Sequence, residues 1–405
     1  MNVLFALRYF KSKKSTNAIN IIAWISVVAI GVGTAALIVV LSVFNGFEGL
    51  VKGLYGDFYA DIRVGPAHGK VLRLTKEQIA SIKQTKGVLQ LSLVAEEKAV
   101  LTNGDKQAIV FVKGVDDNYT SVDNVGNHIV RGKFETGDVN NPLLVLGSGV
   151  GNAVLLDGGE SLYPATLYVP NRKAGPGNLQ DALNAYNIRA TGTFAVQQEF
   201  DNKYVFSNLA FMKYMLDMDA DEYSSVELKT NDNNSADKIK ERLQQLLGKD
   251  YVVQTRFQQN QSLYTIMINE KWVIYGILSL ILIVAAFNMI GALTMLVLEK
   301  QKDIAVLKAM GANNNVVKNI FLSEGLLLAF IGGVGGMLIA IVICWLQQKF
   351  HLVPLQGGSF IIDYYPVQMT LSDFLLVGTT VFTVATIAAY LPARKAGRQE
   401  FSLKS

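Results

Sequence analysis

INIIAWISVVAIGVGTAALIVVLSVF, residues 19–44, contains no charged side chain, and this stretch puts the chain in a lipid bilayer. An α-helix needs about 20 consecutive apolar residues to cross the hydrocarbon core. The run is too long for a signal-peptide core and has no small-residue cleavage site, so it reads as a retained anchor. Residues 272–298, 319–346 and 374–391 repeat the pattern, with Glu324 the only charge inside any of them. Four transmembrane helices are predicted.

Between the first and second runs, residues 45–270 have ordinary mixed composition, enough for one or two globular domains. Short β-rich runs at Leu143–Leu146, Thr166–Val169 and Tyr204–Phe206 alternate with helical patterns such as Ser235–Leu247. The expected fold class is therefore α-helical membrane protein with four spans plus a large α+β extracytoplasmic domain inserted between helices one and two. Gly175, Pro176 and Gly177 mark an exposed loop within that domain.

Orientation follows from Lys and Arg at the helix flanks, which accumulate on the cytoplasmic side. Arg8, Lys11, Lys13 and Lys14 precede the first run; Lys300, Lys302, Lys308 and Lys318 lie around the 299–318 loop; Arg394, Lys395, Arg398 and Lys404 follow the last run. Only Glu299, Asp303 and Glu400 oppose them, so the remainder of a chain of net charge +4 is acidic. Both termini and the 299–318 loop are expected in the cytoplasm, with 45–270 and the 347–373 loop outside, the periplasm in a bacterium. The basic flanks are thus topological and imply no nucleic-acid partner. Val3, Leu4, Leu7 and Phe10 recur at helical spacing, which suits either a short amphipathic helix on the cytoplasmic face or a plain elbow over 1–18. The last residues, 392–405, read as a cytoplasmic tail.

The same reading excludes several chemistries. Cys344 is the single cysteine, so neither a disulfide framework nor a cysteine zinc site is available. His68, His128 and His351 are scattered without ligand spacing, which gives a metal no support. GPAHGKV at 65–71 is one residue short of a nucleotide-binding P-loop and ends in Val where Ser or Thr is required. Gly147-Ser148-Gly149 lacks the frame of a hydrolase nucleophile. No catalytic residue and no bound cofactor are expected of this chain. Ala29 with Gly33, and Gly332 with Gly336, are small residues four apart, as in close helix packing.

EKQKDIAVLKAMGANNNVVKNIFLSE, residues 299–324, is the most informative loop. Ile304, Leu307, Lys308 and Gly311 fall on one face of a short helix, flanked by Lys300, and Gly311 is placed to end it in a left-handed cap. The expected product is a compact knob suited to a groove on another protein.

This loop resembles the coupling loop of type VII ABC transporter permeases, the group of FtsX, MacB and the LolC/LolE lipoprotein-releasing subunits, whose four-helix layout covers the whole chain. Within that group the likeness is strongest to LolC/LolE: Ala6 to Tyr9, Ala35 to Glu48 with its closing Asn45-Gly46-Phe47-Glu48, Gly192 to Phe194, and Asp363-Tyr364-Tyr365-Pro366-Val367. Tyr390 to Ala396 is shared with the wider group. The tail from Gly397 and the polar Asn313 to Asn315 depart from the pattern.

The resemblance implies a cytoplasmic, LolD-like ATPase that uses ATP and Mg and grips Lys300, Asp303, Ile304, Leu307, Lys308, Met310 and Gly311. It implies a second permease subunit, identical or paralogous, a lipoprotein substrate, a periplasmic lipoprotein carrier and a bacterial inner-membrane location. Acyl chains leaving the bilayer need shelter, since each CH₂ transfers at a cost of roughly 0.8 kcal/mol. Phe44, Phe47, Tyr264, Met267 and Ile268 are expected either to line that shelter or to form an interfacial aromatic belt. Glu324 is expected to form an intramembrane ion pair with Lys318 or Arg394, with proton coupling the other reading. The alternatives in function are a MacB-like exporter of drugs or peptides and an FtsX-like device signalling to a cell-wall hydrolase.

Overall fold

The computed structural model describes residues 17–156, 158–159, 164–171, 183–231, 236–355 and 362–398. The elbow residues Val3 to Phe10, the loop at Gly175 to Gly177 and the tail beyond Arg398 lie outside them. In chain order the elements are α1 (Asn17–Phe58), β1 (Ile62–Pro66), β2 (Leu72–Arg73), α2 (Lys76–Gln84), β3 (Val88–Asn103), β4 (Lys106–Val115), α3 (Tyr119–Val122), β5 (Ile129–Gly132) and β6 (Leu143–Gly147). Then come α4 (Ser148–Val154), β7 (Ala165–Pro170), β8 (Leu183–Phe194), β9 (Tyr204–Asn208), α5 (Leu209–Met215), β10 (Glu222–Tyr223), β11 (Ser225–Thr230), α6 (Ala236–Leu247) and β12 (Tyr251–Thr255). The chain closes with α7 (Gln261–Glu299), α8 (Gln301–Ala309), α9 (Asn314–Phe350) and α10 (Leu371–Arg398).

The elements form two compact units, one from the helices up to Leu50 and from Thr265 onward, the other from Val51 to Tyr264. Among the described residues, α1, α7, α9 and α10 are long and apolar enough to cross a membrane. All four run past the apolar stretches that announce them, α1 to Phe58 rather than Phe44. Apolarity marks where a helix meets lipid, whereas its backbone hydrogen bonds continue until a cap or a change of chain direction stops them.

The helical unit is held by Leu37, Ile38 and Leu41 of α1, Leu282 and Met289 of α7, Leu328 of α9, and Val377 and Ala389 of α10. With lipid on the outside, close backbone packing replaces the hydrophobic drive. A Cβ on Gly31 would lie 3.2 Å from the Gly332 carbonyl oxygen, and one on Gly336 would overlap the Gly31 carbonyl. The α1 partner of the α9 glycine pair is therefore Gly31. The Ala29 and Gly33 pattern does not serve that contact, because Gly33 is turned toward Leu282 of α7.

The outer unit is α+β. Its main sheet runs β12-β1-β11-β3-β4-β9-β6-β8-β5, with β7 pairing β3 and β8 off that path. The expected strands at 143–146, 166–169 and 204–206 lie within β6, β7 and β9, and the expected helix at 235–247 is α6. One core fills the space between α4, α5 and strands β3 to β9, with Leu101, Val112, Leu146, Leu167 and Phe211 fully enclosed. A second gathers Ile62, Val64, Val226 and Leu228 under Ile239, Leu243 and Leu247, the i, i+4, i+8 stripe of α6.

Charge is also buried in this unit. Lys113 Nζ donates to Tyr119 Oη at 2.9 Å and pairs with Glu227 at 2.8 Å, and Tyr119 donates to Asp123 at 3.0 Å. The Lys113 ammonium lies over the rings of Phe58 and Tyr119, at 5.7 and 4.8 Å from their centroids. Burial pushes the Asp123 carboxyl up to about 8, against the pull of Lys113, and raises Glu96 and Tyr119 as well.

Candidate functional site

The segment that joins α7 to α9 is built by local rules. Lys300 breaks the helix with ψ near 16°, and α8 then runs from Gln301 to Ala309. Gly311 stands at φ +95°, its N–H donating to Lys308 O at 3.0 Å while the Ala312 N–H reaches Leu307 O at 3.0 Å. That pair of bonds is a Schellman cap, and the left-handed position is why glycine is needed there. Asn313, one of the three polar residues that depart from the family pattern, caps α9 by accepting from the Val316 N–H at 2.9 Å.

Ile304, at the centre of the apolar stripe of α8, faces the chain's own helices and not outward as the expected knob would have it. Ile304 is 3% exposed and packs with Val297, Val317, Phe321, Ala393 and Ala396 of the chain's own helices. Lys308 Nζ donates to the Gly397 carbonyl at 3.0 Å, and Leu307 is half-buried beside it. A short helix next to three long apolar ones buries its greasiest face at home first. The outward face carries Val306 and Met310, 58% and 72% exposed, with Lys302 and Asp303 exposed alongside; Lys300 sits within 3.5 Å of Asp303. Of the seven residues expected to meet an ATPase, Met310, Asp303 and Gly311 are exposed, while Ile304 serves the internal core.

Glu324 is 3% exposed in α9, and it pairs with neither Lys318 nor Arg394 among the described contacts. Lys318 is six positions away, a spacing that places it on a different side of the helix, with its Cβ near Gly397. Arg394 is exposed on α10. The Oε2 atom of Glu324 is buried without a hydrogen-bond partner, and the cation whose field reaches it is Lys300. Next to it, Gly325 lets Ala389 and Leu293 approach to 2.6 and 2.9 Å of where its Cβ would be, so α7, α9 and α10 meet at this level.

The expected shelter residues divide between the units. Phe44 and Phe47 are half-buried on α1, and Met267 is buried while Ile268 is exposed on α7. Tyr264 belongs to the outer unit, where it stacks on Phe257 at 4.9 Å and lines a cavity of about 800 Å³ with Lys52, Asp57, Lys229 and Arg256. Among the described residues no cluster of His, Cys, Asp and Glu is arranged to hold a metal.

Among the described residues, four helices long and apolar enough to cross a membrane, with an α+β domain between the first and second and a short capped helix between the second and third, make the layout of a membrane permease subunit. Residues 23–246 match the MacB-like periplasmic core domain and residues 275–401 the FtsX-like permease C-terminal domain. The chain belongs to this family of ABC transporter permeases, whose members partner an ATPase. It is 26% identical to the lipoprotein-releasing system transmembrane protein LolC of Neisseria meningitidis serogroup B, over 97% of this chain and 96% of that one. It is 27% identical to the corresponding LolE of Haemophilus influenzae, over 98% of each chain. The periplasmic region of MacB from Actinobacillus actinomycetemcomitans aligns with 53% of this chain and 98% of its own at 12% identity and a TM-score of 0.37.

Proposed function

We propose that this chain is the membrane subunit of an ATP-driven complex that extracts lipoproteins from the bacterial inner membrane. The carrying observation is the likeness to LolC and LolE along nearly the entire chain, outer domain and helices alike. A separate LolD-like ATPase docks on the outward face of α8 and supplies the ATP and Mg chemistry. Movement of α8 passes into α7 and α9, to which it is directly joined. A second permease subunit, identical or paralogous, completes the path, and a periplasmic carrier receives the released lipoprotein. Phe44, Phe47, Met267 and Ile268 of the helical unit contribute apolar surface for the acyl chains. Depleting the protein in its own cell and fractionating the membranes tests this. Acylated lipoproteins retained in the inner membrane are the expected result; unchanged sorting overturns lipoprotein release and favours the exporter or signalling activity on the same fold.

A further inference from the structure

At the end of the helical unit remote from α8, one amide gathers three helices. Asn45 of α1 donates from Nδ2 to the Asp373 carboxylate of α10, and accepts at Oδ1 from Lys271 Nζ of α7 at 2.7 Å. The same Nδ2 lies 3.3 Å from the Gln368 carbonyl oxygen, and the Gln368 N–H donates to Ser42 O at 2.8 Å. Asp373 is 4% exposed, accepts from Thr370 Oγ1 at 2.8 Å, and has Lys271 Nζ 3.8 Å from its other oxygen. Gly46 allows the chain at Pro366 and Val367 to rest directly on α1, since any Cβ there would overlap the Pro366 carbonyl. Gln348 of α9 holds that loop from the other side, donating to Val367 O at 2.8 Å.

These contacts give a physical role to residues that the proposed function leaves unused, Asn45 and Gly46 on α1 and Pro366 and Val367 in the loop before α10. An apolar contact would hold helix ends together as firmly, and a buried ion pair is seldom the most stabilising choice. What the amide adds is direction. Its oxygen must face a cation and its nitrogen an anion, and turning α1 by one residue, about 100°, removes both bonds.

We infer that Asn45, Lys271 and Asp373 form an outer clamp that makes α1, α7, α10 and the 364–370 loop move as one body, so that displacement applied at α8 reaches α1. Asn45 is a positioning residue in this scheme. The inference rests on the proposed ATPase coupling at α8, but not on the identity of the cargo.

The test uses the full complex with its ATPase in lipid nanodiscs. Spin labels replace Gly49 and Leu375, both exposed, in a Cys344→Ser background. Their separation is measured with and without a non-hydrolysable ATP analogue. A clamp predicts an unchanged narrow distance in the native chain and a nucleotide-dependent broadening in Asn45→Ala. Release of lipoprotein per ATP hydrolysed is expected to fall roughly tenfold in Asn45→Ala and in Asp373→Ala, the size of one lost charge-assisted hydrogen bond. The paired reversal Lys271→Asp with Asp373→Lys restores both readouts, because the Asn45 amide flips to serve the exchanged charges, whereas either reversal alone does not. A native distance that shifts with nucleotide, or a paired reversal no better than its single members, overturns the clamp. If the wild-type complex releases no lipoprotein, the cargo assignment fails while the spin-label result still decides the clamp.

Discussion

The two faces of α8 separate a docking role from a structural one, and substitution can tell them apart. Met310 leaves 72% of its surface exposed, while Ile304, on the same helix, leaves 3%. Fully burying a methionine contributes about 1.5–3 kcal/mol, and 1.4 kcal/mol is a tenfold change in affinity. Met310→Asp is therefore expected to weaken ATPase binding by roughly 10- to 150-fold. As an exposed substitution it should change the stability of the permease itself by no more than about 0.5 kcal/mol. Ile304→Ala acts oppositely. Removing a buried isoleucine from the cluster with Val297, Val317 and Phe321 costs about 2–5 kcal/mol of packing and leaves the docking face intact. Binding of the detergent-solubilised permease to its immobilised ATPase, measured beside the thermal midpoint, gives both numbers. The reasoning is refuted if Met310→Asp binds as tightly as the native chain, or if Ile304→Ala loses affinity with its thermal midpoint unchanged.

Gly336→Leu should force α1 from α9 at the Gly31 contact, an overpacking cost of about 1–3 kcal/mol or more, read as a lowered thermal midpoint. Because Glu324 has no ion-pair partner in Lys318 or Arg394, Glu324→Gln is expected to retain assembly and ATPase coupling; loss of assembly on co-purification would refute this. Replacing Phe47 and Met267 together by Asp should abolish lipoprotein release with the ATPase still bound, and unchanged release would remove both from the acyl path. Asp123 sits at about 8 when folded, above the ordinary carboxylate value near 4, so the folded outer domain keeps a proton that the unfolded chain gives up. That contribution is complete below about pH 4 and is lost as pH rises through about 8. Burial pushes Glu96, Asp116 and Asp201 in the same direction. Asp123→Asn is expected to make the pH dependence shallower, seen as amide-exchange protection in β4 and β11 that declines less between about pH 5 and 8 than in the native chain.

Four spans, an inserted α+β domain and a short helix ended by Gly311 between the second and third spans were legible in the sequence because they depend on properties that accumulate along the chain. A run without charge cannot be placed in water cheaply, a strand alternates with a period of two, and a glycine at the end of a helical stripe is a local cap. Gly311 needed no tertiary information, and its φ of +95° follows from its place after Met310. Asn313 carried a cap signal as well, a side-chain acceptor three residues before the Val316 N–H, although its polarity read only as a departure from the family.

The facing of surfaces was decided by tertiary structure. The stripe of Ile304 and Leu307 is equally suited to a partner's groove and to the chain's own helices, and periodicity cannot say which is present; for Ile304 the nearby Val317, Phe321 and Ala393 decide it. The sequence offered Glu324 two cations, Lys318 six positions away and Arg394 at the end of the last helix, but helix rotation sends both elsewhere. Gly31, not Ala29 or Gly33, meets the α9 glycines, a choice set by the rotation of α1 about its axis. Asn45, Lys271 and Asp373 stand hundreds of positions apart in part, each at the margin of an apolar run where a polar residue is unremarked. Only when the helix ends are brought together do one amide, one ammonium and one carboxylate become a single arrangement, because hydrogen bonds depend on distance and direction, and neither is written in composition or spacing.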